Sequence, residues 1–260
     1  MSTGGLAART AVVGLLMASQ PLGGQVMPSG DGSLPAPEPF LAAVRENLAA
    51  AQERENRFAY KEQRTDLHMN PFGRLGTGAT RVYEVTPAAD GSSVQRRLIE
   101  RDGVPVSDSP VEQIGRGRRS RVSGRNRLDD VTGVLQFRLD RREMLDGHSA
   151  IVVRFSPKPS AKPRTREGRI AQSLEGQIWI NEAEREVARV EARAVEPISF
   201  GYGLLARLAE GTTISLVRQP VGDLWIPTSV RLNGTGRAML VRKLTVNFSV
   251  DWFDYRAMAP

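Results

Sequence analysis

Cysteine is absent from all 260 residues, histidine occurs twice, and aromatic residues make up only 6% of the chain. The missing thiol excludes disulfides, thiolate metal ligands, a cysteine nucleophile and the lipid-modified cysteine that tethers bacterial lipoproteins. The two histidines, His68 and His148, stand far apart in the sequence. Neither belongs to a His-Glu-x-x-His or comparable ligand spacing, so no metal and no other cofactor is expected. Long apolar runs are also missing, since no stretch approaches the roughly 20 residues needed to span a bilayer.

Charge is scarce at the start, where Arg9 is the only charged side chain before Asp31. It precedes the apolar run Thr10-Ala11-Val12-Val13-Gly14-Leu15-Leu16-Met17-Ala18. That layout reads as a secretory signal segment over residues 1–25, and Gln20 and Pro21 end the run too early for a lasting anchor. Neither Ala18-Ser19-Gln20 nor Leu22-Gly23-Gly24 is a clean small-x-small cleavage pattern, so the cleavage point stays open. Residues 26–37, rich in Pro, Gly and Ser, read as a linker. Residues 38–260 are expected to form a single domain, soluble and monomeric in the periplasm.

What is present is ordinary for a globular protein, with 40% hydrophobic and 25% charged residues. Pro39 suits the first turn of a helix, and Phe40, Leu41, Val44, Leu48 and Ala51 follow at helical spacing, with Arg45, Glu46, Gln52 and Glu53 opposite. The spacing predicts an amphipathic helix over 39–55. From Arg57 the period changes to two. Strands are predicted over 57–67, 80–86, 94–101, 135–141, 150–156, 174–181, 186–195, 212–218, 224–233 and 239–253. Asp90-Gly91, Asp102-Gly103, Asp146-Gly147 and Asn233-Gly234 read as hairpin turns, which makes neighbouring strands antiparallel. A second short helix is predicted to open at Ser109, with Pro110 in its first turn and Glu112 closing a capping box.

Alternation is clearest near the end, where Leu224, Ile226, Val230 and Leu232 share one face, as do Leu240, Leu244, Val246, Phe248, Val250 and Trp252. A sheet greasy on one side needs a second layer over that side, and the 39–55 helix is the candidate. The fold class expected is therefore mainly β (α+β), antiparallel, with helix covering an apolar face.

Catalytic signatures are few. Gly147-His148-Ser149 lacks the second glycine of a nucleophile elbow and reads as a hairpin entering a strand. Gly73, Gly76 and Gly78 are followed by no Gly-Lys-Ser/Thr, so they do not make a phosphate loop. Asp129-Asp130 reads as a helix cap before Val131 or a solvated turn rather than an acid–base pair. No enzyme activity and no catalytic residue are expected.

The net charge of +7 is concentrated in two runs. Arg116, Arg118, Arg119, Arg121, Arg125 and Arg127 occupy one, and Lys158, Lys162, Arg164, Arg166 and Arg169 surround Pro159 and Pro163 in the other. No aromatic residue is interleaved for base stacking, so nucleic acid is not an expected partner. The first run is the candidate for docking to an anionic membrane surface or an acidic envelope protein.

Leu174-Glu175-Gly176-Gln177-Ile178-Trp179-Ile180-Asn181 with Val187-Ala188-Arg189-Val190-Glu191, then Gly203-Leu204-Leu205-Ala206, Glu210-Gly211-Thr212, Leu224-Trp225-Ile226-Pro227 and Phe253-Asp254-Tyr255-Arg256, carry a family resemblance. In these pieces the chain resembles the LolA-like outer-membrane lipoprotein-sorting and carrier family, over about Glu38 to Met258. The resemblance implies an open antiparallel half-barrel whose concave apolar face is covered by helices and holds acyl chains. Phe137, Phe155, Ile178, Ile180, Ile226, Leu244, Val246, Phe248 and Trp252 are the candidate ligand-binding residues. The ligand implied is a lipid or acylated protein, carried or chaperoned; the alternative is a non-catalytic envelope sensor that binds a protein partner. The basic segments at 115–127 and 157–169 depart from the family pattern.

Overall fold

A computed structural model describes residues 33–55, 57–65, 68–69, 75–76, 79–88, 93–115, 124–200, 206–238 and 242–258. The signal segment, residues 26–32 of the linker, and Arg116, Arg118, Arg119 and Arg121 lie outside the described residues. Three helices are described: α1 (Pro37–Glu55), α2 (Gly124–Gly133) and α3 (Arg166–Ala171). The strands are β1 (Phe58–Thr65), β2 (His68–Met69), β3 (Leu75–Gly76), β4 (Thr80–Pro87), β5 (Ser93–Arg101), β6 (Val104–Pro105), β7 (Val111–Gly115), β8 (Leu135–Leu145) and β9 (His148–Pro157). They continue with β10 (Leu174–Asn181), β11 (Val187–Ala194), β12 (Ile198–Phe200), β13 (Ala206–Leu208), β14 (Thr213–Val221), β15 (Leu224–Ala238) and β16 (Arg242–Ala257). The fold is mainly β, and its strand pairs are antiparallel. Among the described residues, no helix is long and apolar enough to cross a membrane.

The chain divides into two compact units, each drawn from three stretches of sequence. Unit 1 holds the residues up to Glu53, Val122–Arg193 and Val217–Ile226; unit 2 holds Arg54–Arg121, Ala194–Leu216 and the residues from Pro227 onward.

In unit 1 the strand order is β14-β11-β10-β9-β8, an open sheet with β8 at its edge. The β8–β9 hairpin turns at Asp146 and Gly147, whose φ values of 49° and 84° suit a turn that needs left-handed backbone at both positions. Alternation puts Val153 and Phe155 of β9 and Ile178 and Ile180 of β10 on one face, paired as Ile178↔Val153 and Ile180↔Ile151. Burial of such side chains stabilises by about 1.5–3 kcal/mol each. A register shift between Leu139 and Arg141 re-aims the end of β8. On the opposite face Trp179 packs with Ala150, Val152 and Leu145, and its indole N–H donates to Glu143.

In unit 2 the order is β6-β5-β4-β1-β16-β15, with β7 beside β5, β13 beside β15 and β12 beside β13. Two sequence expectations change here. Asn233-Gly234 is not a turn: both residues lie inside β15, paired with Asn247 and Val246 of β16. The glycine serves close approach, because a Cβ at Gly234 would stand 2.8 Å from Thr212 Cγ2 and 2.9 Å from Thr212 Cβ. The helix expected from Ser109 is strand β7, whose Val111–Gly115 pair with Arg97–Ser93 of β5. Five backbone pairings to a neighbouring strand outweigh a capping box with no helical apolar stripe behind it.

The sheet of unit 2 also buries charge. Trp252 donates its indole N–H to Glu62 at 3.1 Å, and Arg96 lies 3.7 Å from Glu62 and 2.8 Å from Glu112. The guanidinium carbons of Arg64 and Arg96 sit 4.9 and 4.3 Å from the Tyr83 ring centroid.

Candidate apolar binding site in unit 1

Helix α1 begins with Pro37 and Glu38, which suit a first turn because proline lacks the N–H that would be left unpaired and the acid complements the helix dipole. Phe40, Val44, Leu48, Ala49 and Ala51 are buried, while Arg45 is exposed, in keeping with the helical spacing. Two contacts hold this helix over unit 1. Asn47 donates its side-chain amide to the Glu184 carbonyl at 2.8 Å, and the Arg185 guanidinium lies 5.0 Å from the Phe40 ring centroid. Ala49 meets Leu128 of α2 in a small buried cluster.

Helix α2 contains Asp129 and Asp130, so the pair is neither a cap nor a loose turn. Asp130 accepts from the backbone N–H of Arg164 at 2.9 Å and of Thr165 at 2.7 Å, and from the Thr165 hydroxyl at 2.6 Å. Thr165 is itself the N-cap of α3 and accepts from the Gly168 N–H at 2.9 Å. Gly168 gives room for this junction, since a Cβ there would lie 2.9 Å from Asp130 Cγ. Burial raises the Asp130 pKa, but the Thr165 hydroxyl, the two backbone N–H groups and the Arg164 charge together hold the carboxyl below its ordinary value.

Between these helices and the sheet lies a cavity of about 430 Å³. Leu41, Val44 and Leu48 of α1, Leu128 and Val131 of α2, Leu135 and Phe137 of β8, Val153 and Phe155 of β9, Ile178 and Ile180 of β10, and Val187 and Val190 of β11 line it. The Phe137 and Phe155 rings stand 6.5 Å apart at 44°. Among the described residues four polar side chains complete the lining, Arg45, Thr132, Gln136 and Lys158, with no carboxylate. The Thr132 hydroxyl donates to the Leu128 carbonyl at 2.9 Å, and Gln136 donates to Ser156 at 2.8 Å. This size falls within the range of pockets that enclose small ligands, and its walls favour an apolar one.

Of the candidate ligand-binding residues, Phe137, Phe155, Ile178 and Ile180 are brought together in this cavity. Ile226 is fully buried in unit 1 but does not line it. Val246 and Trp252 are buried in unit 2 and Phe248 is half-buried there; the Leu244 side chain lies outside the described residues. Leu41, Val44 and Leu48 already stood in the predicted apolar stripe, but only the fold shows that they face this cavity. Arg45 and Lys158 were missed because an exposed cation carries no sequence signal of its own.

Arg125 and Arg127 belong to α2; the Arg125 side chain lies outside the described residues, and Arg127 is half-buried. Lys158, Lys162, Arg164, Arg166 and Arg169 are all exposed. His148 is exposed at the start of β9, directly after the Asp146-Gly147 turn. Among the described residues, no group of three or more His, Cys, Asp or Glu is arranged to hold a metal.

No family model and no curated protein matches the chain. Solved structures do show likeness. A DUF1329 family protein from Desulfovibrio piger is 12% identical, with 84% of this chain and 91% of that one covered and a TM-score of 0.34. A LolA superfamily protein from Nitrosomonas europaea is 13% identical, with 81% and 94% covered and a TM-score of 0.32. A domain assigned to outer membrane lipoprotein sorting from Vibrio parahaemolyticus is 14% identical, with 80% and 90% covered and a TM-score of 0.33.

Proposed function

We propose that the protein is an exported envelope binding protein that holds a lipid or the acyl part of a lipid-modified protein in the unit 1 cavity, as a carrier or chaperone. The observation that carries this reading is the cavity itself, about 430 Å³ walled by aliphatic and phenyl side chains under α1 and α2. Each methylene buried there contributes about 0.8 kcal/mol, so an acyl chain binds usefully without a catalytic group. The apolar run after Arg9 supports export to the compartment where such a ligand is found.

The test is purification from the native compartment followed by lipid extraction and mass spectrometry. A stoichiometric lipid or acylated peptide is expected, and a consistently empty protein contradicts the reading. A second reading, docking of an acidic envelope protein, has its own support in the five exposed cations of residues 158–169. Binding of that kind weakens with salt and is insensitive to filling of the cavity.

A further inference from the structure

The rim of the cavity is chemically one-sided. Among the described residues thirteen of its lining side chains are apolar, and the charged ones are two cations, Arg45 and Lys158. Arg45 follows Leu41 by four residues and precedes Leu48 by three, so its stem runs beside the apolar stripe of α1 while its guanidinium is exposed. Among the described residues no carboxylate pairs with it. Lys158 comes directly after β9 and is exposed; its ammonium donates to the Gly133 carbonyl at 3.3 Å and its backbone N–H to the Val134 carbonyl at 2.8 Å. Elsewhere in unit 1 arginines are matched by acids: Arg142 with Glu182, Arg141 with Asp140 and Glu143, Arg193 with Glu175. Arg45 and Lys158 have no such ion pair among the described residues.

From the apolar walls and the charge at the rim together we infer that the cavity selects an anionic amphiphile, a fatty acid carboxylate, with its tail among Phe137, Phe155 and Ile178 and its head at Arg45 and Lys158. The inference rests on the proposed binding function and adds the ligand class to it. A carboxylate at the edge of an apolar cavity meets these cations in a medium of lower effective dielectric than water, where the attraction is stronger than between fully solvated charges.

Calorimetric titration of the full chain with monomeric dodecanoate, its neutral glycerol monoester and dodecyltrimethylammonium tests this. Dodecanoate is expected to bind about tenfold or more tightly than the monoester, and the cation more weakly than either. Raising salt from roughly 50 to roughly 500 mM should weaken dodecanoate alone. In the double variant Arg45→Gln, Lys158→Gln the preference of dodecanoate over the monoester should vanish. Both positions are exposed, and an unchanged melting temperature confirms that the variant folds. Equal affinity for the three heads, or a preference that survives the double substitution, overturns the inference. If that head-blind binding is abolished by filling the cavity with Leu41→Trp, the binding function stands and only the ligand class falls. Absence of binding by all three overturns both.

Discussion

Asp130 of α2 and Thr165 at the start of α3 lie 35 residues apart in sequence, and the Asp130 carboxylate accepts both the backbone N–H and the hydroxyl of Thr165. This pair fixes the end of α2 that bears Leu128 and Val131, two walls of the cavity. Asp130→Ala removes the acceptor for three N–H and O–H groups and is expected to cost about 1–2 kcal/mol, read by urea denaturation. Thr165→Ser keeps both donors and should cost well under half as much.

Gly176 of β10 sits where a Cβ would fall on the Glu191 carbonyl oxygen and lie 2.8 Å from Ala192 Cα. Both obstacles are backbone, so they cannot swing aside. Gly176→Ala is expected to destabilise by about 2 kcal/mol or more. Gly133, at the end of α2, has nothing within 4 Å of the same hypothetical atom. Gly133→Ala should be neutral or stabilising by a few tenths of a kcal/mol, and thermal melts of the two variants side by side check the contrast.

Acid should weaken unit 1 through its paired carboxyls. The Arg142 guanidinium and the Ser149 hydroxyl hold Glu182 below its ordinary value, the Trp179 indole and Arg141 do so for Glu143, and Arg141 and Arg154 for Asp140. A carboxyl depressed in the folded state binds its proton more readily when unfolded. Its contribution is therefore present above the ordinary carboxylate range and is lost as pH falls through the folded value. Glu182→Gln removes one such contribution: it should lower stability by about 1 kcal/mol at neutral pH, and the gap to the parent should close on acidification.

Leu41 lines the cavity from the half-buried side of α1. Leu41→Trp adds bulk to a cavity of about 430 Å³ without replacing a fully buried wall. Loss of about tenfold or more in affinity for a single-chain lipid is expected, with little change in melting temperature; displacement of an apolar fluorescent probe measures it.

Most of the sheet was legible because turn chemistry and alternation agree. The strands expected over 174–181 and 135–141 are β10 and the first part of β8, and Asp146-Gly147 turns where the dipeptide says it should. Asn233-Gly234 misled because the same flexible residue serves a turn or a close approach, and only the neighbouring Thr212 distinguishes them. Helix α3 was not anticipated, and a helix near α2 entered only as the alternative in which Asp129-Asp130 caps one starting at Val131: each is short, and basic, glycine- or proline-rich sequence surrounds them. The sheet wall of Phe137, Phe155, Ile178 and Ile180 and the α1 part of the cover were therefore readable, while the α2 part and the place of the two cations depend on contacts distant in sequence.

The central claim is that an acyl chain lies among the unit 1 walls. Methyl-labelled isoleucine separates this from binding elsewhere, because Ile178 and Ile180 line the cavity and Ile226 is fully buried outside it. Titration of the labelled protein with dodecanoate, followed by methyl NMR, should move the Ile178 and Ile180 signals saturably and leave Ile226 in place. Saturable binding with Ile178 and Ile180 unmoved would contradict the account.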